Sequence, residues 1–137
     1  MFLSAEGLAT SDYHPSYEDV WTANSKVLKI GEDVWTDNLT YYVKGSEHSA
    51  KQLALELHVN SSTNLQKSDQ RFLVIAQKLL VAALRQTPSE ELLTLLSNFQ
   101  LINIQEAGRR ITLERENYAR HAEEGYSRTL TISCISD

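Results

Sequence analysis

Cysteine occurs once in this chain of 137 residues, as Cys134, so no intrachain disulfide braces it and no thiolate cluster can hold a metal. Without a disulfide framework the chain reads as a product of a reducing compartment, which makes a cytoplasmic location the expectation. The Asn-X-Ser/Thr triplets at Asn38 and Asn60 are then chance matches. Histidine is sparse and scattered, at His14, His48, His58 and His121, without the spacing of a ligand set. The five glycines form no phosphate-cradling loop, and neither His-Glu-X-X-His nor Gly-X-Ser-X-Gly occurs. The start, Met1 to Glu6, lacks the basic residues and the continuous apolar run of a secretory signal, and no stretch approaches the length of a membrane span. The expectations are no metal, no cofactor, no membrane contact and no catalytic residue set.

A chain of this length can bury roughly two thirds of its unfolded surface around one core. Its net charge of -5 is unevenly placed. Residues 1–60 hold nine acidic side chains against four lysines, so the whole excess lies in the first half. An acidic surface repels phosphate backbones, which argues against nucleic acid, and it steers basic partners inward. The plainer reading of the same charge is a solvated face that maintains solubility.

What the sequence does have is a tandem duplication. Glu18-Asp19-Val20-Trp21-Thr22-Ala23-Asn24, ending at Gly31, is followed at once by Glu32-Asp33-Val34-Trp35-Thr36-Asp37-Asn38, ending at Gly45, and both tryptophans lie in it. A repeat so short cannot bury its own apolar face and must lean on its neighbour or on a larger core. The turn chemistry of Asn24 and Asp37-Asn38 suggests that each copy is a hairpin, with Trp21 and Trp35 in related environments.

Residues 1–17 lack periodicity and read as an N-terminal arm, leaving 18–137 as a single α+β domain. Strand signals appear at 26–30 and, more strongly, at 39–44, which is rich in aromatic and β-branched residues. From Lys51 to Asn60, Leu53, Leu55, Leu57 and Val59 alternate with Ala54, Glu56 and His58, the pattern of a strand with one wet face. Asp69 to Gln86 carries the strongest helical signal, with Ser68 as its expected N-cap and a polar stripe through Arg71, Lys78 and Arg85. Apolar residues cover the rest of its circumference, so burial on more than one side is expected. Thr87-Pro88-Ser89-Glu90 reads as a capping box opening a second helix, with threonine as the cap. Residues 101–105 and 109–115 flank Glu106-Ala107-Gly108 as a hairpin, and 126–135 alternates again after a polar loop at 116–125. Strands, two helices, then strands predict an antiparallel sheet of about five strands packed against two consecutive helices.

Three constellations bear on function. Glu56 and His58 share a strand face, and a carboxylate can orient an imidazole for proton transfer, although such pairs are more often plain surface polarity. Cys134 alternates with Leu130 and Ile132, which marks it as an inert core thiol. Trp21 and Trp35 each follow Glu-Asp-Val, and an aromatic anchor ringed by Glu32, Asp33 and Asp37 would suit a basic protein partner; the alternative is that both rings plug the core. The reading that follows is a non-catalytic intracellular binding protein, such as an inhibitor, an immunity-type antidote or an accessory subunit, acting through protein–protein contact. Self-association into a homo-oligomer stays open. The other class is a small enzyme or ligand-binding domain with a cleft between the wet sheet face and the 116–125 loop.

If residues 69–86 form the central core helix, Leu80→Ala or Ile75→Ala should each cost about 2–5 kcal/mol, the lost transfer energy plus the cavity left behind. Unchanged thermal melts in both variants would move that helix out of the core.

Overall fold

The computed structural model describes residues 13–17, 20–26, 28–30, 37–59, 65–117 and 126–134. Glu32, Asp33 and Trp35, and most of the 116–125 loop, lie outside them. The described strands are β1 (His14–Tyr17), β2 (Val20–Asn24), β3 (Leu28–Ile30), β4 (Asp37–Ser46) and β5 (Ser49–Val59), then β6 (Ile102–Glu106), β7 (Arg109–Asn117) and β8 (Tyr126–Cys134). Between β5 and β6 come the helices α1 (Leu65–Leu84) and α2 (Glu90–Ser97). The protein is α+β, and its antiparallel sheet runs β1-β2-β4-β5-β8-β7-β6, with β3 also paired to β4. Eight strands replace the expected five or so. The extra ones are short, too brief for local alternation to reveal: β1 falls inside the segment expected as an arm, and β2 continues through Asn24, an expected turn residue.

The duplication does not make two hairpins. In the described residues the first copy lies antiparallel against the second, from Trp21 opposite Gly45 to Asn24 opposite Tyr42, and again from Leu28 opposite Leu39 to Ile30 opposite Asp37. The register slips by one residue between these stretches. At the slip Ser25 is buried, its amide donates to the Tyr41 carbonyl at 2.8 Å, and its Oγ accepts from the Tyr41 amide at 2.9 Å. A side-chain oxygen thus replaces the ladder carbonyl that the bulge displaces. Trp35, expected to share the environment of Trp21, lies outside the described residues.

Alternation along β5 works as expected. Leu55, Leu57 and Val59 face inward and meet Tyr41 and Leu39 of β4 and Leu130 and Tyr126 of β8 in register. On that face α1 packs against β5 and β8, and α2 packs against β6. Phe72, Ile75, Ala76, Leu79, Leu80 and Leu84 recur at helical spacing and are buried, joined by Leu92 and Leu96 of α2.

Both helix starts differ from expectation. α1 begins at Leu65, so Ser68 lies within its first turns; its side chain is buried and donates to Asp37 Oδ2 at 2.5 Å. The N-cap of α2 is Ser89, not Thr87: its Oγ accepts from the Leu92 amide at 3.2 Å. The carboxylate that closes the box comes from Glu106 of β6, which accepts from the Ser89 amide at 2.9 Å and the Ser89 hydroxyl at 2.5 Å. α1 packs both on the sheet and against α2, while Val74 and Val81 stay 45% and 50% exposed beside the polar stripe. The cause is placement: α2 lies on the sheet beside α1, and no described helix or strand covers the outer side of α1. Among the described residues no helix is long and apolar enough to cross a membrane.

Gly45 sets a second register slip, between β4 and β5. A Cβ there would stand 2.1 Å from the Ser49 carbonyl oxygen and 2.7 Å from the Lys51 amide nitrogen, both backbone atoms that no rotamer change can move. Gly45→Ala should therefore cost about 1–3 kcal/mol or more by forcing the hairpin apart. A melting temperature within about 1 °C of wild type would show that the strands can separate freely.

Candidate functional site

The sheet face opposite the helices is built from the polar half of each alternation, and no described helix lies on it. One cross-strand row reads Lys29, Asn38, His58, Ser127, Glu116, and the next reads Thr40, Glu56, Thr129, Glu114. Glu56 Oε1 and His58 Nε2 are hydrogen-bonded, so the two groups that share a strand face do meet. Thr40 is buried directly across from Glu56, and Ser127 directly across from His58. The pair orients its imidazole within a surface of hydroxyls and amides.

Trp21 is half-buried on β2, with Pro15 of β1 on one side and Gly45 of β4 on the other. Its ring leans on Tyr13, with centroids 5.6 Å apart and planes tilted by 36°. The Tyr13 hydroxyl donates to the Ser46 carbonyl at 2.5 Å, which ties the aromatic pair to the tip of the β4–β5 hairpin. Asp37, expected on an acidic contact patch, is instead fully buried against Ser68, so its carboxylate is no surface charge. Glu32, Asp33 and Trp35 lie outside the described residues, so Trp21 is the one expected contact residue that the described surface carries.

At the other end of β4 a groove of about 500 Å³ runs between β3 and the outer side of α1. Leu28, Lys29 and Ile30 form its strand wall, and Lys67, Gln70, Arg71 and Val74 form its helix wall. The sequence showed part of that helix stripe through Arg71, but the juxtaposition with β3 is tertiary and has no local signal. A smaller cavity of about 190 Å³ reaches Arg85, Arg109 and Cys134. Cys134 is half-buried and takes a hydrogen bond from Arg109 Nη1 at 3.0 Å, so it is less deeply placed than a core thiol.

Inside the helix-covered face, Arg128 is only 4% exposed. Its guanidinium lies 4.2 Å from the Phe99 ring centroid and 5.3 Å from that of Tyr126, with Nη2 3.6 Å from Asp69 Oδ1. Tyr126 donates to the same Asp69 oxygen at 2.9 Å, and Arg115 stacks 4.0 Å from the Tyr126 centroid. Phe99 reaches this position by adopting φ 52° just past α2, where the Gln100 amide donates to the Leu95 carbonyl and the Phe99 amide to the Leu96 carbonyl. That is a Schellman ending with phenylalanine where glycine is usual, and the strain aims an aromatic face at a buried cation. Burial, the largest influence, raises the Tyr126 pKa; Arg128 acts to lower it and Asp69 to raise it further.

Among the described residues no three His, Cys, Asp or Glu side chains gather as a metal site. No protein family, curated protein or solved structure matches the chain.

Tyr41, on the buried face of β4, has its hydroxyl pushed up to about 12 by burial. Unfolded tyrosine titrates near 10. Between the two values the unfolded chain releases a proton that the folded chain keeps, so this contribution is whole below about pH 10 and lost as pH rises towards 12. Each pH unit in that window should remove about 1.4 kcal/mol of stability, and Tyr41→Phe should lack this slope. Urea unfolding of both proteins at about pH 9 and 11 measures the difference; equal slopes would show that the hydroxyl reaches water.

Proposed function

We propose that the protein is a non-catalytic binding protein, an inhibitor, an immunity-type antidote or an accessory subunit, that works in the cytoplasm through contact with another protein at the aromatic end of its sheet. The observation that carries this reading is Trp21, held half-buried and stacked on a Tyr13 that is itself anchored to Ser46. An immobilised aromatic side chain loses little further freedom when a partner covers it, which is why tryptophan and tyrosine recur among residues that dominate interface energies. The neighbouring edge strand β1 has Pro15 and a register irregularity, features that discourage main-chain pairing. Contact there is made by side chains.

The hydrogen-bonded Glu56–His58 pair favours a second reading, a small enzyme or ligand-binding domain acting on the open sheet face. It would need a substrate held against His58, and a loss of turnover in His58→Gln with unchanged affinity would separate it from the first.

Trp21→Ala tests the binding reading. Affinity capture with wild-type protein supplies the partner, and the variant is then compared for partner affinity and for melting temperature. The expected outcome is roughly a tenfold or larger loss of affinity, mainly through faster dissociation, with a modest fall in stability. A collapse of the melting temperature, with binding lost only in step with unfolding, would assign Trp21 to the fold alone.

A further inference from the structure

The cavity beside the end of α1 collects cations without collecting carboxylates among the described residues. One wall is the helix-covered sheet face, where Leu53, Ile132, Cys134 and Arg109 follow the inward alternation of β5, β8 and β7. Ala82, Ala83 and Arg85 close it from the α1 side. Arg109 stands between two cross-strand neighbours, Glu106 of β6 and Cys134 of β8. Glu106 spends both carboxylate oxygens on the Ser89 cap, and the Arg109 guanidinium turns to the Cys134 sulfur instead. That weak acceptor is its one side-chain partner, although a guanidinium has five N–H donors to place. Arg85 follows α1 directly with φ 56°, the left-handed region that favours glycine. Its guanidinium is exposed and is paired with no carboxylate. A strained arginine where glycine would sit freely, beside a second guanidinium that lacks a carboxylate, departs from local preference twice at one cavity, as sequences do where a function requires it.

We infer that this cavity binds a dianionic phosphoryl group, either free phosphate or the head of a small phosphate monoester. Two guanidiniums match its two charges, and their planar forks suit its oxygens. A single carboxylate would leave one positive charge over. The apolar wall of Leu53, Ile132, Ala82 and Ala83 strengthens the pairing by keeping water back, and it offers a surface to the carbon chain of an ester. A volume of about 190 Å³ lies below that of sites for drug-sized ligands, so it admits a phosphoryl group with a few carbons and excludes a nucleotide. The inference goes beyond the partner contact at Trp21, which does not line the cavity.

The test titrates the full chain by calorimetry at about pH 8, where a phosphate monoester carries two charges, with inorganic phosphate, butyl phosphate and pentanoate as probes. Butyl phosphate should bind at one site per chain, roughly tenfold or more tightly than pentanoate, and more weakly as salt rises. Inorganic phosphate binding more weakly than butyl phosphate identifies an ester as the ligand; binding as tightly or more so identifies free phosphate. Arg109→Gln should weaken butyl phosphate by roughly tenfold, with a melting temperature near wild type verifying that the variant folds. Arg85→Gly should weaken it similarly while holding or raising the melting temperature, because glycine takes φ 56° without strain. Cys134, the only cysteine, should react more slowly with iodoacetamide when the cavity is occupied, and Trp21→Ala should bind butyl phosphate as wild type does. No binding of butyl phosphate below about 10 mM, equally tight binding of pentanoate, or unchanged alkylation of Cys134 at saturation overturns the proposal. So does an Arg85→Gly protein that melts lower yet keeps full affinity, which would leave that arginine a role at the helix end alone.

Discussion

The architecture of the N-terminal half depends on one strand. β4 spans ten residues and pairs with β2, β3 and β5, so β2 and β3 join the rest of the sheet through it directly and β1 by way of β2. Such a strand must satisfy two registers at once. It does so with one local device on each side: Ser25 lends its hydroxyl where the first copy slips along it, and Gly45 removes a Cβ where β5 crosses closest. The duplication makes sense in these terms. The two copies pair with each other, the first as β2 and β3 and the described part of the second as the single strand β4.

That self-pairing explains which features were legible from sequence. Strand β5 and helix α1 declared themselves because eleven and twenty residues are long enough for a period of two or of 3.6 to stand out. The β6–β7 hairpin was equally plain, and Gly108 takes the positive φ of 74° expected of it, with Ala107 at 52° beside it. The short edge strands gave no such signal, because pairing rather than alternation defines them. Ser89 became the cap of α2 because Glu106 approaches from β6, a partner that no four-residue motif contains. Asp37 misled for a related reason. In sequence it closes an acidic run, yet it lies inside the protein because α1 brings a hydroxyl to meet it.

Buried polar groups of this kind hold the helical layer to the sheet at defined points. Asp37 and Ser68 join β4 to the first turns of α1, and Asp69 gathers Tyr126 and Arg128 of β8 one residue further along. Desolvating these groups costs free energy that packing alone would not, and breaking one partner leaves the other stranded. Arg128 is the sharpest case: among the described residues its Nε has no hydrogen-bond partner, and the Asp69 carboxylate together with the faces of Phe99 and Tyr126 offsets its burial. The two adjacent residues Ser68 and Asp69 therefore fix both the height and the rotation of α1, and with them the direction in which Lys67, Arg71 and Val74 point.

The two ends of β4 then present different chemistry from a single scaffold. Beside Trp21 the edge strand β1 carries Pro15 and irregular pairing, which discourage strand addition, and the aromatic pair Tyr13–Trp21 is what it presents. Beside β3 the strand is short and faces a helix carrying Lys67, Arg71 and the exposed Val74. Both ends are set by pairing along one strand, since Trp21 opposes Gly45 and, beyond a slip of one residue, Ile30 opposes Asp37. A shift of one residue along β4 would turn the inward residues of β2 and β3 to the wet face, and would disturb the aromatic end and the cationic groove together.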